Sequence, residues 1–422
     1  MPHPEIPAGA RAMAEESRFA FGPLKDAIGD IDPGRTVVVT DPEVRRLHGR
    51  AFPPCPVLEV ERGEASKSLS SAERLYGAFL DLGLDRGSTV LAIGGGSVTD
   101  LAGFAASTWM RGVDFGFVPT TLLSMVDAST GGKNGVDFRG IKNLVGTINR
   151  PRFVRFDVSL LFTLPDRDFA SGMAEAIKHG VIQGEEHFAF LEGSCVPPAG
   201  RAQETGTMGD TAIPGPAEVP AAGSACAAAA GSAASAATAA AALGRGVLEG
   251  LVERSVAFKS GITRRDEREG GERRLLNLGH TIGHAVEAVT GIEHGEAVAC
   301  GLASAFRLAV SRGEGDRAAM ERVLALLAAW ELPTSIAAAA ALATARAAGR
   351  AGRPLAGGLA AAGAAGPVTD GPELRERIMQ AMTVDKKRCG GDIAFALPRS
   401  IGDVAIVPIA LSDLELFVRG AP

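Results

Sequence analysis

The sequence predicts an α/β fold in its first half and a mostly helical second half. Two short β-branched runs, 35–40 (RTVVVT) and 89–93 (TVLAI), each end in turn residues or glycine. Between them Leu75, Phe79 and Leu82 recur at helical spacing, which implies a βαβ layout with a parallel sheet. From Pro165 onward strand signals thin out, and helical patterns dominate to about residue 330.

Taken in order, the first strand runs into Asp41-Pro42 and the first helix spans Ser71 to Leu82. The second strand runs into Gly94-Gly95-Gly96, after which Ser97, Thr99 and Asp100 open an apolar helical pattern. Phe115 to Val118 reads as a further buried strand, ended by Pro119. The stretch 118–143 reads as a long polar loop around Gly131-Gly132, and loops of that length usually carry function. In the helical half, 171–180 (SGMAEAIKHG) places Glu175 and Lys178 on one helix face. Between Val219 and Gly244 there is no charged residue, and 15 of the 23 positions from 221 to 243 are Ala. The length alone matches a membrane span, but Ala, Gly and Ser gain little in lipid, so a flexible or loosely helical insertion is expected. Residues 336–366 repeat the Ala/Gly bias and read as a weakly specified helix and loop.

Composition narrows the function classes. Of the 422 residues, 46% are hydrophobic and 22% charged, a globular balance, and the net charge of −6 offers no basic field for nucleic acid or an anionic membrane. One Tyr and two Trp are too few for base-stacking platforms. The five cysteines are scattered with no CxxC pair, which supports neither a zinc ribbon nor a disulfide framework. The N-terminus lacks the basic start and apolar core of a secretory signal, so a soluble cytoplasmic protein is expected.

Four constellations can carry chemistry. The glycine turn at 94–96 lets backbone N–H groups approach a phosphate at a helix N-terminus, although it is not the GxGxxG fingerprint and also fits a plain strand-to-helix turn. The stretch 118–143 gathers Thr120, Thr121, Asp127, Lys133, Lys142 and Asn143, and lysines beside a glycine turn suit phosphate or carboxylate recognition. Three of the seven histidines, His280, His284 and His294, fall within 275–298. Two His and one carboxylate make a catalytic metal site, and spacing alone nominates His280 and His284 with either Glu175 or Glu296. Lys178, Lys259, Arg273 and the run Asp385-Lys386-Lys387-Arg388 add cations, a set suited to a polyanionic small substrate, with Arg388 read as solvated surface.

Together and in this order, GGGSVTDLAGFAASTWMRG, VPTTLLSMVDASTGGKNGVD, AEAIKHG, DEREGGERRLLNLGHTIGHAVE and HGEAV resemble the 3-dehydroquinate synthase family. The resemblance covers roughly residues 20–195 and 246–420. It implies a Rossmann-like NAD-binding α/β domain over 1–165 and a helical metal- and substrate-binding domain over 166–422, with an Ala/Gly-rich insertion at about 197–245. A homodimer with its active site in the cleft is also implied. Carried over by position, the metal ligands become Glu175, His280 and His294, with zinc expected and cobalt as the alternative, and His284 moves to the substrate. NAD contacts are implied for Asp41, Glu64, Lys67, Gly95, Gly96, Asp100, Thr120, Thr121 and Thr163, with Lys133 and Lys142 shared with the substrate. Substrate contacts are implied for Asp127, Lys133, Lys142, Asn143, Lys178, Lys259, Arg273, Asn277, His284 and Lys386, with Arg111 reaching the neighbouring subunit's phosphate.

The chain departs from the family's pattern at Glu43, where Asn is usual, and at Asp168, where Glu is common; Ile141 interrupts the GKN triplet ahead of Lys142-Asn143. The reaction implied converts 3-deoxy-D-arabino-heptulosonate 7-phosphate to 3-dehydroquinate and phosphate. Rival readings are another sugar phosphate cyclase of valiolone or inosose type, a metal-dependent alcohol dehydrogenase, and a silent binding module. Arg273 and Lys386 favour a carboxylate-bearing substrate over the first, and the full ligand set disfavours the last.

Overall fold

The structure, a computed structural model, describes residues 17–197, 238–350, 369–386 and 392–420. The chain begins with strand β1 (Arg18–Phe21), β2 (Thr36–Thr40), helix α1 (Pro42–His48), β3 (Val57–Glu59), α2 (Leu69–Asp81), β4 (Thr89–Gly94), α3 (Gly96–Thr108) and β5 (Asp114–Pro119). A hairpin of β6 (Lys133–Phe138) and β7 (Ile141–Ile148) follows, and then β8 (Phe153–Phe156). Six of these strands form one parallel sheet in the order β1-β8-β5-β4-β2-β3.

The sheet is parallel because its central strands are buried on both faces. Every residue of β2 and β4 is buried, and alternate side chains enter different cores. Val38, Leu91 and Ile93 pack on one face with Leu24 and Phe153, while Val37, Val39, Val90 and Ala92 pack on the other with α2 and α3. Helix α2 starts where Ser68 Oγ accepts from Ser71 N at 3.1 Å and buries Ala72, Leu75 and Phe79. It ends at Asp81, so Leu82, expected on the apolar face, is instead the C-cap and is exposed.

The expected long loop at 118–143 is mostly ordered structure. Residues Ser124–Ala128 make a π-helical turn, and β6 and β7 pair antiparallel from Lys133↔Ile148 to Phe138↔Ile141. Its polar, glycine-rich sequence hides the strand because the hairpin buries only Asn134, Gly135 and Val136 of β6. Gly135 has no side chain so that Val145 O can pass 3.0 Å from where a Cβ would stand.

The second half continues with α4 (Asp166–Gln183), α5 (Glu185–Ser194), α6 (Ala239–Leu243), α7 (Arg245–Arg265), α8 (His280–Thr290), α9 (His294–Ser311), α10 (Arg317–Ala329), α11 (Ile336–Arg350) and α12 (Pro372–Lys386). A hairpin of β9 (Asp392–Ser400) and β10 (Asp403–Ala410) and helix α13 (Leu411–Gly420) close it. Most of the Ala-rich insertion lies outside the described residues, as do 351–366 of the second Ala/Gly segment, Lys387 and Arg388. The described end of the insertion is α6, capped by Thr238 and buried through Ala239 and Ala240. No described helix is long and apolar enough to cross a membrane.

Glycine sets the distance between the helices that matter most. A Cβ on Gly295 would stand 2.0 Å from Ser171 O, so the first turn of α9 lies directly on the backbone of α4. A Cβ on Gly301 would stand 1.8 Å from Gly279 O, so α9 also touches the turn that starts α8. Because backbone atoms leave no room to yield, Gly301→Ala is expected to cost about 1–3 kcal/mol or more, read as a lower urea midpoint at unchanged m-value.

Candidate active site

The carboxyl ends of β2, β4 and β5 lead into Asp41, Gly95 and Thr120, residues expected around NAD. From β2 the chain steps to β3 on one side and returns to β4 on the other, so the strand order reverses between β2 and β4. Ligands of open α/β sheets bind outside such a switch point. Gly94 leaves β4 where a Cβ would strike Val98 Cβ at 2.6 Å, and Gly95 starts α3 with no side-chain cap. The first amides of α3 therefore remain able to meet an anionic group.

The residues expected around NAD have distinct surroundings. Asp41 follows β2 and caps α1, with Oδ1 accepting from Glu43 N at 2.9 Å and Val44 N at 3.0 Å. Thr120 N donates to Gly94 O at 2.9 Å, and Thr121 Oγ1 accepts from Ser124 N at 3.1 Å. Thr163 lies beside His48, with its hydroxyl 2.9 Å from the ring Nε2. Lys67 is buried and pairs with Asp100 at 2.9 Å and Glu64 at 3.4 Å. Burial pushes the Asp100 carboxyl up to about 6 despite the attraction of Lys67. Glu64 also accepts from Ser97 Oγ at 3.1 Å and stands 3.7 Å from Lys142.

A second group lies where α4, α8 and α9 meet. Glu175 on α4 is 0% exposed, and its Oε1 lies 3.6 Å from His280 Nε2 and 3.4 Å from His294 Nε2. Neither carboxylate oxygen has a hydrogen-bond partner, although Oε2 is in ionic contact with Lys178. The rings of His280, His284 and His294 cluster, with a ligating nitrogen of each within 4.8 Å of the others. Burial, with Lys178 nearby, holds the His280 imidazole well below its usual range. His294 goes the other way: burial lowers it, but its contacts with Glu175 and Glu287 win and hold it up at about 10. A buried carboxylate with unpartnered oxygens, two imidazoles beside it and a third at the rim fit a divalent cation. Of the two acids that spacing nominated, Glu296 is turned away into an ionic cluster with Arg346 and Arg167 and caps α9.

Lys259 and Lys133 face acids, whereas Arg273 faces main-chain carbonyls. Lys259 Nζ donates to Asp127 Oδ1 at 2.6 Å and to Asp127 O at 2.7 Å. Burial pushes Asp127 up, but Lys259 outweighs it and holds the carboxyl well below its ordinary value. Arg273 is buried, donating to Glu267 O at 2.7 Å and Gly131 O at 3.1 Å. Lys133 bonds Glu269, which also accepts from Asn277 Nδ2 at 2.7 Å. Asn143 is exposed in β7 at φ 52°, Arg111 is exposed after α3 at φ 70°, and Lys386 ends α12. Sequence reasoning missed three acids or bases of this neighbourhood: Glu269, Glu287 and the wholly buried His179, whose Nε2 is 3.7 Å from Asp127 Oδ1.

The fold is shared with solved synthases. The chain superposes on 2-epi-5-epi-valiolone synthase from Streptomyces hygroscopicus subsp. jinggangensis 5008, solved with NAD+ and Zn2+ bound, with a TM-score of 0.72 at 24% identity, covering 96% of this chain and 97% of that one. A 2-deoxy-scyllo-inosose synthase complexed with carbaglucose-6-phosphate, NAD+ and Co2+ gives 0.65 at 22% identity, covering 95% and 96%. The sequence is more specific than the fold. The 3-dehydroquinate synthase N-terminal model matches residues 57–171 and the 3-dehydroquinate synthase C-terminal model matches 217–350. The chain is 33% identical to 3-dehydroquinate synthase of Synechococcus sp. (strain ATCC 27144 / PCC 6301 / SAUG 1402/1) over 95% of its own length and 94% of the relative's. It is 35% identical to that of Desulforamulus reducens (strain ATCC BAA-1160 / DSM 100696 / MI-1) over 88% and 86%. The chain belongs to the 3-dehydroquinate synthase family.

The Asp127–Lys259 pair makes a stability prediction. Asp127→Ala leaves the Lys259 ammonium buried and unpaired, with an expected loss of about 3 kcal/mol in chemical denaturation. Adding Lys259→Met is expected to restore most of that loss, which a double-mutant cycle reads directly.

Proposed function

We propose that this protein is a phosphate-eliminating carbon–oxygen lyase that converts 3-deoxy-D-arabino-heptulosonate 7-phosphate to 3-dehydroquinate and phosphate, serving aromatic amino-acid synthesis through the shikimate pathway. The observation that carries the reading is the buried Glu175 carboxylate facing His280 and His294 with Lys178 against it, beside the Asp127–Lys259 pair. Glu175, His280 and His294 would hold one divalent metal ion, zinc or cobalt. Asp41, Glu64, Lys67, Gly95, Gly96, Asp100, Thr120, Thr121 and Thr163 would line the NAD site at the carboxyl ends of the sheet's strands. Membership of the family and the relatives described above support both cofactors.

When bound, NAD would supply reversible hydride chemistry at carbon 5, and a metal held by Glu175, His280 and His294 would supply Lewis-acid polarisation of the hydroxyls at carbons 4 and 5. The chain's own residues orient the sugar acid and balance its charge. Arg273, with Lys259 and Lys386, holds the carboxylate end; a planar, permanently charged guanidinium suits that group. Lys133, Asn143 and His284, with Arg111 of the neighbouring copy, hold the phosphate over the proton at carbon 6. There the departing phosphate serves as the base, so no dedicated side-chain base is required. Ring opening and aldol closure follow. A homodimer in the cytoplasm, with residues 1–165 and 166–422 as its two working domains, completes the proposal.

The experiment is phosphate release by the purified protein with NAD and zinc, run in parallel on the heptulosonate phosphate, sedoheptulose 7-phosphate and glucose 6-phosphate. Release from the first alone, without net NADH, is the expected result. Release from a substrate lacking the carboxylate moves the protein to another cyclase activity, and net NADH moves it to a dehydrogenase. His294→Ala is expected to abolish metal-dependent turnover with the fold retained by circular dichroism. Arg273→Ala removes a charge-assisted contact of about 1.5–3 kcal/mol, so kcat/KM is expected to fall about tenfold to a hundredfold.

A further inference from the structure

Glu287 lies on α8 seven residues after His280 and three after His284, on the same helix face. It is buried, and its two oxygens have different partners. Oε2 is 3.2 Å from Nδ1 of His294, and Oε1 bonds Nζ of Lys142 on the β6–β7 hairpin. Lys142 is about half exposed, at 48%, so water screens its side of the pair, and the contact with the less exposed His294 is the informative one.

An imidazole presents one nitrogen as donor and the other as lone pair, and the partner of the first decides which is which. With Glu287 accepting from Nδ1–H, the proton that a cation displaces is the one on Nε2, the nitrogen 3.4 Å from Glu175 Oε1, and Nδ1 keeps its own. We propose that Glu287 is a positioning residue that fixes the ring orientation and tautomer of His294 for binding a divalent cation. This rests on the metal-site reading of Glu175, His280 and His294 given above.

The test uses the full chain stripped of metal and titrated with Co2+ alone, followed by its visible d–d absorption, with folding checked by near-UV circular dichroism. Glu287→Gln keeps the side chain's shape and is chosen because Glu287→Ala risks unfolding. The glutamine variant is expected to bind Co2+ about tenfold to a hundredfold more weakly with an altered spectrum, as loss of an outer carboxylate partner does at metal-bound histidines. Lys142→Met keeps the Glu287–His294 contact and is expected to stay within about threefold of the parent. Parent-like affinity and spectrum in Glu287→Gln overturn the proposal. So does an equal loss in Lys142→Met, because the ion pair would then be what matters. His294→Ala separates the two claims: if it binds Co2+ as the parent does, the metal-site reading itself falls.

Discussion

A carboxylate with no exposed surface governs the centre of this molecule. Glu175 on α4 is compelled by its own charge to keep positive or proton-bearing groups close, and Lys178, His280 and His294 answer that demand from three helices. In a medium of low polarity such a group cannot be left alone without severe cost, so the surrounding side chains are constrained to one arrangement. The opposite responses of His280 and His294 to burial follow from which ring has acids on both sides.

The backbone is shaped to meet that electrostatic requirement. Helix α9 lies against α4 at Gly295 and against the entry to α8 at Gly301, and only glycine admits those approaches. His294 is the first residue of α9 and His280 the first of α8, so the close packing delivers both rings to the same spot. From there a line of paired charges continues through Glu287, Lys142, Glu64 and Lys67 to Asp100 at the start of α3. The strand ends of the sheet and the helical cluster are thereby parts of one ionic lattice, and the hairpin bearing Lys142 is its crossing point.

What could be read from the sequence follows from how strongly each segment is buried. The fully buried β2 and β4 are continuous apolar runs, α2 carries Leu75 and Phe79 at helical spacing and α3 follows the triple glycine, so this core was legible. The hairpin β6–β7 was not, because β7 is mostly exposed and its polar residues imitate a loop. Strands β1 and β3, of four and three residues, are too short for an alternation to register, and β9–β10 lies beyond the helical stretch that dominated the reading. Spacing within one helix finds His280 and His284 but says nothing about acids on other helices, so by spacing alone Glu175 and Glu296 were equivalent; the family resemblance chose Glu175, and the packing turns Glu296 away to Arg346. Glu287 did leave a signal, since 280, 284 and 287 share one face, but acids on amphipathic helices are too common for that alone to single it out.

The lysines of this cleft already have carboxylate companions: Lys133 with Glu269, Lys142 with Glu287, Lys259 with Asp127 and Lys178 with Glu175. An anion arriving here enters a partner exchange, in which each contact it gains releases an acid that must find water or another cation. A molecule carrying a single negative charge swaps one pairing for another and gains little by it. One with charges at both ends shifts several pairings together, and the freed acids then lie beside its hydroxyls as hydrogen-bond acceptors. Discrimination between ligands thus begins in the exchange itself, before any fit of shape is considered.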